Sequence, residues 1–383
     1  MSNDSFSTKI SIAYLNESLG AGGAERQLVE LVKNLNREQF HVQVMTYIPD
    51  NFYLQDLNHL GITVHCLPRK SKTDLAPIMQ LASWLRSSQV DIVHAYLATA
   101  NLYAVLAKKL ARKGKVLVSE RSTLLHYTGL SRLKRTLSFW FADLIIANSA
   151  TAQRDLVGGM LWKDKKVKFI PNGIDVVKFT PTENKMSVRN ELGWPNTNRT
   201  ALTIAGFKPA KNHLGMLDAL EDFRPSGTPF RYYWAGQIVS QELLHRIKQR
   251  IATLGLTDVV DVLGPRDDVI ALYQACDVFI LNSLWEGTPN VLLEAIACGC
   301  PVIATNVSDV SRYVIPGETG WLIPPDNPGA LRETLNQVSE MKDQDLKAMG
   351  LKGRQHLLRL GLDFSSMARS YEKVYKDLIG ISG

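Results

Sequence analysis

Two carboxylates in the run Ser283-Leu-Trp-Glu-Gly-Thr-Pro-Asn-Val-Leu-Leu-Glu-Ala-Ile-Ala-Cys-Gly-Cys-Pro301 have the spacing to engage a hydroxyl-rich ligand. Thr288 suits the cap of a helix, Pro289 its first position, and Gly299 its end ahead of Pro301. Glu286 then stands just before the helix and Glu294 within it. At ~1.5 Å of rise per residue the two lie on the order of 10 Å apart along the axis, with the N–H groups of Asn290 and Val291 between them. A carboxylate accepts hydrogen bonds from hydroxyls, and a helix N-terminus attracts phosphate. Hydroxyls, diphosphate, hydroxyls is the outline of a nucleoside diphosphate sugar. A solvated loop carboxylate aiding the helix dipole would explain Glu286 as well, but Glu294 lies in Val291-Leu-Leu-Glu-Ala-Ile-Ala297. That helix is apolar on nearly every face, and an unpaired charge there is costly.

A second candidate is Gly20-Ala-Gly-Gly-Ala-Glu-Arg26, which follows the apolar run Lys9–Asn16. A strand, glycines and a helix can place phosphate on free backbone N–H groups. The dinucleotide fingerprint fails, because its third glycine position is Glu25, a carboxylate that serves the helix dipole. A phosphate site and a plain strand-to-helix turn are both open at this point.

The elements around these segments alternate. Strands are predicted at Lys9–Asn16, Val42–Tyr47, Thr63–Leu67, Ile92–Ala95, Val116–Glu120 and Leu144–Asn148, with helical periodicity between them. The Pro and Asn-Gly signals in Phe169–Asp175 interrupt the pattern, which restarts with strands at Ala201–Gly206, Phe230–Ala235, Val259–Leu263, Val278–Asn282, Val302–Thr305 and Gly320–Ile323. The expectation is an α/β protein with two doubly wound, Rossmann-like domains, residues 1–175 and 176–364, facing across a cleft, and a final helical segment, 365–383. A length of 383 residues supports two such cores.

The net charge of +7 is unevenly spread. Residues 1–178 hold 23 Lys and Arg against 14 Asp and Glu, while the remainder holds 21 against 23. An anionic partner is expected for the first half. Arg132, Lys134 and Arg135 stand among Leu133, Leu137, Phe139, Trp140 and Phe141, either as an interfacial membrane helix or as a helix packed on the sheet. Lys108, Lys109, Arg112 and Lys113 fit a helix C-terminus without any partner. No aromatic RNA motif or helix-turn-helix element accompanies the basic residues, so nucleic acid is not expected. Four cysteines make neither a disulfide framework nor a zinc site, and MSNDSFST lacks the basic start of a signal peptide. With no apolar run long enough to span a bilayer, a cytoplasmic protein is expected, peripheral at most.

The chain resembles the retaining glycosyltransferases of glycosyltransferase family 4, which have the GT-B fold. The family's E-x7-E pattern is Glu286 to Glu294, inside EGTPNVLLEAIACGCPVIAT. Further matches are GAGGAERQLVELVKNL, DIVHA at 91–95, IPNGIDVVKF at 170–179, KPAKNH at 208–213 and GETGWLIPP at 317–325. The resemblance implies sugar transfer, with retention, from a UDP- or GDP-sugar to an acceptor sugar or lipid-linked glycan, in polysaccharide, lipopolysaccharide or glycolipid synthesis. The acceptor would bind the first domain and the nucleotide sugar the second, and the final helix would cross back to the first.

Position by position, it implies that Glu286 meets the sugar hydroxyls and Glu294 the ribose. Gly287, Thr288, Pro289, Asn290 and Val291 would line the sugar and distal phosphate, and Gly22 and Gly23 would approach the diphosphate. Lys211 would stabilise the leaving group, with Lys208 standing in for an arginine that the family often has where this chain has Ala205 and Gly206. His94 would orient sugar or acceptor; without the resemblance it reads as a polar residue satisfied by backbone. The family's second histidine is Tyr96 here, and its Gly-Gly…Glu becomes Ser308-Asp309…Arg312. No cofactor or metal is expected, since two lysines supply the charge a metal would bring. A non-catalytic sugar-binding protein and a glycoside hydrolase are the alternatives. The second would need carboxylates flanking a sugar ring rather than following one helix.

Overall fold

Short apolar and β-branched runs form parallel strands in the computed structural model, which describes residues 9–50, 52–71, 74–121, 129–158 and 166–381. The opening MSNDSFST lies outside these residues. The first sheet holds β1 (Ile10–Leu15), β2 (Phe40–Thr46), β3 (Thr63–Cys66), β4 (Ile92–Tyr96), β5 (Lys115–Glu120), β6 (Leu144–Ala147) and β7 (Val167–Phe169). Their order is β3-β2-β1-β4-β5-β6-β7. The second holds β8 (Arg199–Ile204), β9 (Phe230–Ala235), β10 (Val260–Gly264), β11 (Val278–Leu281), β12 (Val302–Thr305) and β13 (Gly320–Ile323), in the order β10-β9-β8-β11-β12-β13. Central strands such as β4, β6 and β11 are buried throughout, as parallel strands covered by helices on both faces must be. Each predicted strand is present within two residues of its expected ends; β7 was not anticipated.

The chain divides into one unit of Met1–Gly173 with Phe364–Gly383, and another of Ile174–Asp363. The last helix, Phe364–Ile379, belongs to the first unit, where Met367, Ala368, Tyr371 and Tyr375 join the core of Ile12, Tyr14, Leu28 and Phe40. Gln27 grips the Gly173 peptide from both sides, donating to its carbonyl at 2.9 Å and accepting from its N–H at 3.0 Å. Gly173 has to be glycine, because a Cβ there would meet the Phe364 ring at 2.5 Å.

In each sheet the strand order reverses once, between β1 and β4 and between β8 and β11. The loops leaving the C-terminal ends of such neighbours diverge to opposite faces and open a crevice where ligands of doubly wound sheets bind. In the second unit those loops carry Lys211 and Glu286.

Candidate active site

Beyond β8 the chain turns through the short 3-10 helix Pro209–Lys211. Asn212 then takes left-handed backbone (φ 50°), and its side chain accepts from the N–H of Gly215 to cap the helix His213–Leu220. The loop after β11 is stitched to this turn. Leu284 N–H donates to the Ala210 carbonyl at 2.8 Å, and Asn282 Nδ2 to that of Asn212 at 3.3 Å. These bonds bring Lys211 Nζ onto Glu286 Oε1 as an ion pair, both side chains 12% exposed. Ser283, which no sequence pattern singles out, donates its hydroxyl to the same oxygen at 2.6 Å. A cation and a hydroxyl therefore fix the carboxylate before any ligand arrives.

The next helix runs from Asn290 to Ala297, with Pro289 at the cap in extended backbone (ψ 97°) and no side-chain capping bond. This corrects the expected Thr288 cap and Pro289 start: the Pro289 carbonyl accepts from the N–H groups of Leu292 and Leu293, so the helix opens one residue later. Gly287 and Thr288 are half-buried before it, as are Asn290 and Val291 in its first turn. Glu294 is 4% exposed and accepts from the Tyr273 hydroxyl at 2.9 Å. Burial, and then the charge of Glu294, drive the Tyr273 phenol well above its ordinary pKa, so it stays a donor. Tyr273 had no signal in the sequence; only the fold places it against Glu294. Lys208 is exposed, at the cap of the turn that carries Lys211. Ser308, where the family pattern has glycine, holds the left-handed backbone (φ 50°) that glycine adopts without strain.

In the first unit, Gly22 caps and Gly23 opens the helix Gly23–Asn34. A Cβ on Gly22 would fall 2.1 Å from a Glu25 carboxylate oxygen, so that acid folds back over the helix start, as its reading as a dipole partner requires. His94 requires a correction. It is 0% exposed, with Nδ1 2.8 Å from the Tyr375 hydroxyl and Nε2 2.8 Å from that of Ser119. Burial, then the charge of Arg121, hold its pKa well below the ordinary range. The imidazole is neutral, its partners are side chains, and it ties the last helix to β4 and β5. Tyr96 is also 0% exposed, under the Arg121 guanidinium at 4.4 Å.

The description Glycosyltransferase Family 4 fits residues 21–178, and Glycosyl transferases group 1 fits residues 184–356. The chain belongs to glycosyltransferase family 4. It is 24% identical to the UDP-Gal:alpha-D-GlcNAc-diphosphoundecaprenol alpha-1,3-galactosyltransferase of Escherichia coli, over 97% of this chain and 98% of that one. It is 26% identical to the lipopolysaccharide core biosynthesis mannosyltransferase LpsB of Rhizobium meliloti, over 75% of this chain and 79% of that one. Among solved structures, Anabaena Alr3699/HepE in complex with UDP-glucose superimposes with a TM-score of 0.85 at 23% identity, covering 96% of this chain and 100% of that one. The family 4 protein is thus a glycosyltransferase of GT-B fold, and the hydrolase and non-catalytic readings are set aside.

Two further features bear on its partners. No helix among the described residues is long and apolar enough to cross a membrane. The helix Gly129–Phe141 is two-faced: Arg135, Ser138 and Phe139 are buried, while Leu130, Leu133, Leu137, Trp140 and Phe141 are exposed, Leu130 by 67%. Arg135 therefore does not belong to the basic outer face, which keeps Arg132 and Lys134. Lys109 adds to that face by lying 4.6 Å over the Phe141 ring.

Proposed function

We propose that this glycosyltransferase transfers a sugar from a nucleoside diphosphate sugar to a hydroxyl of a lipid-linked glycan, with retention of configuration and without a metal. The Lys211–Glu286 pair at the β8/β11 switch point carries the reading. Lys211 can leave Glu286 for the phosphate oxygen on which charge grows as the sugar departs, while Glu286, still held by Ser283, turns to the sugar hydroxyls. Glu294, set by Tyr273, is spaced to take the ribose, and the first-turn N–H groups of Asn290–Ala297 favour the diphosphate. The Lys211 charge does what a metal would otherwise do at the leaving group. Because Glu286 is then engaged by Ser283 and the sugar hydroxyls, the departing diphosphate is the better base for the attacking hydroxyl, which gives same-face substitution.

A uridine nucleotide is favoured by the UDP-sugar in the name of the Escherichia coli relative and by the UDP-glucose bound to the Anabaena protein. The same relative's diphosphoundecaprenol substrate supports a lipid-linked acceptor. The exposed apolar stripe on Gly129–Phe141, flanked by Arg132, Lys134 and Lys109, suits the surface of an anionic bilayer, so a cytoplasmic, peripheral location is part of the proposal.

The test is nucleoside diphosphate release from UDP-, GDP- and ADP-sugars with anionic membrane extract as acceptor, for wild type and Glu286→Ala, with and without EDTA. Release from a uridine donor that survives EDTA and is lost in the variant is expected. Failure of every donor to stabilise the protein against heat would remove the assigned site.

A further inference from the structure

We propose that the first unit holds a phosphate group, that of a phosphate ester on the acceptor, in a cavity between the ends of β4 and β5 and the start of the helix Ala98–Ala111. The inference rests on the lipid-linked acceptor proposed above, since such an acceptor carries phosphate beside its sugar. The cavity measures about 80 Å3, the room of two to three waters at ~30 Å3 each. That suits one phosphate group. It lies at the C-terminal ends of two central strands, where ligands of this kind of sheet bind.

The charge on its walls favours an anion. Glu120 and Arg135 form an ion pair with side chains 4% and 10% exposed, and so offset one another. Arg121 is the surplus cation. Its Nη1 donates to Asn172 Oδ1 at 2.9 Å and its guanidinium rests on Tyr96, which leaves the buried Nε–H with no acceptor. The Ala98–Ala111 helix adds the positive end of its dipole, with no side chain capping it.

Asn101 points to a ligand independently of the charges. It is 3% exposed, lines the cavity, and donates Nδ2 to the Ser119 carbonyl at 3.0 Å. A carbonyl can only accept, so the amide cannot be turned over, and Oδ1 is a buried acceptor with no donor. One unmet donor and one unmet acceptor share a small cationic cavity. A phosphate ester satisfies both, its oxygens accepting from Arg121 and a hydroxyl of the adjoining sugar donating to Asn101. The residue leading into the helix, Leu97, keeps a φ of 71°, a backbone state rare for a leucine and often found at ligand sites. Arg135 comes from the inner face of Gly129–Phe141, so a phosphate here would sit about one helix diameter, ~10 Å, behind the apolar stripe.

The experiment saturates the full chain with UDP, which fills the donor's phosphate positions, and titrates inorganic phosphate and a soluble sugar 1-phosphate by calorimetry. Saturable binding is expected, weakened about tenfold in Arg121→Gln and in Asn101→Asp, as losing a charge-assisted bond or adding a like charge implies. Arg121→Lys, which restores a point charge, should recover part of the binding, and thermal midpoints identify any variant that fails to fold. With a lipid-linked sugar diphosphate in vesicles, the ratio of acceptor KM to donor KM should rise by the same factor. Phosphate binding unchanged in both variants, or displaced by UDP in the wild type, overturns the site. Binding lost in the variants with an unchanged KM ratio overturns the lipid-linked source in favour of a soluble phosphate ester. A wild type that binds phosphate but no nucleotide would sink the proposed donor chemistry and leave this site standing.

Discussion

The Tyr375 hydroxyl lies 2.8 Å from Nδ1 of His94, across 281 residues of sequence. The same oxygen is 2.8 Å from the Tyr14 hydroxyl, so one side chain of the last helix joins β1 and β4 where the strand order reverses. Tyr375→Phe removes the oxygen and leaves an imidazole nitrogen and a phenol buried without it. Stability should fall by about 1–3 kcal/mol, the cost of stranded polar groups. Urea unfolding would show it as a lower midpoint at unchanged slope; an unmoved midpoint would mean that the network adds nothing to stability.

His213 gives the protein an acid-sensitive group beside its candidate active site. Its ring stacks on Phe207 at 4.7 Å and meets Trp234 edge-on at 5.4 Å, with neither nitrogen hydrogen-bonded. Burial, then the nearby charge of Lys211, push its pKa from 6.5 down to about 4. As pH falls through 6.5 the unfolded chain takes up this proton and the folded chain does not, so stability drops until about pH 4. Above that window the group is neutral in both states and contributes no pH dependence. His213→Phe keeps the stacked ring, and its unfolding free energy should lose roughly 3 kcal/mol less than wild type over the window. Since His94 acts with the same sign, the difference between the two proteins is the quantity to measure.

Tyr273→Phe tests the link to Glu294 without touching the carboxylate. Losing a hydrogen bond to a charged group costs about 1.5 kcal/mol or more. The KM for the sugar donor should rise roughly tenfold, with a smaller change in kcat, since the ribose that Glu294 is proposed to hold lies away from the bond being broken. Equal losses in kcat and kcat/KM would instead place Glu294 in the chemistry.

The stripe on Gly129–Phe141 should govern membrane binding. Leu133→Asp with Trp140→Ala, at side chains 54% and 55% exposed, should free the protein from anionic vesicles while its thermal midpoint stays within about 2 °C, as expected for surface changes. Salt should release the wild type as well, because the basic flank contributes about 1 kcal/mol per residue at the lipid surface. Retention of the double variant on the vesicles would rule the stripe out.

Most of the architecture is legible in the sequence, because parallel strands buried on both faces need unbroken apolar runs and the turns between them need Gly, Pro and Asn. β7 escaped because Val167–Phe169 is three residues with a lysine in the middle, at the sheet's edge. Lys211 and Glu286 could be singled out as candidates because each sits in a compact local motif. Ser283 and Tyr273 were not, since their roles arise from partners that only the sheet brings close. His94 misled for the same reason: its position in β4 was clear, while the hydroxyls of Ser119 and Tyr375 that occupy it come from distant segments.

The chain leaves its first unit after Gly173 and re-enters it at Phe364. Synthesis therefore meets the two units in an unusual order. The second unit is contiguous and can complete itself as it leaves the ribosome, whereas the first must wait, with Tyr14, Phe40 and His94 uncovered, until Phe364–Ile379 has been made. At roughly 5–20 residues per second that interval lasts on the order of ten seconds or more. The half that is translated first is the half that finishes folding last, and during that wait it is the natural client of a chaperone.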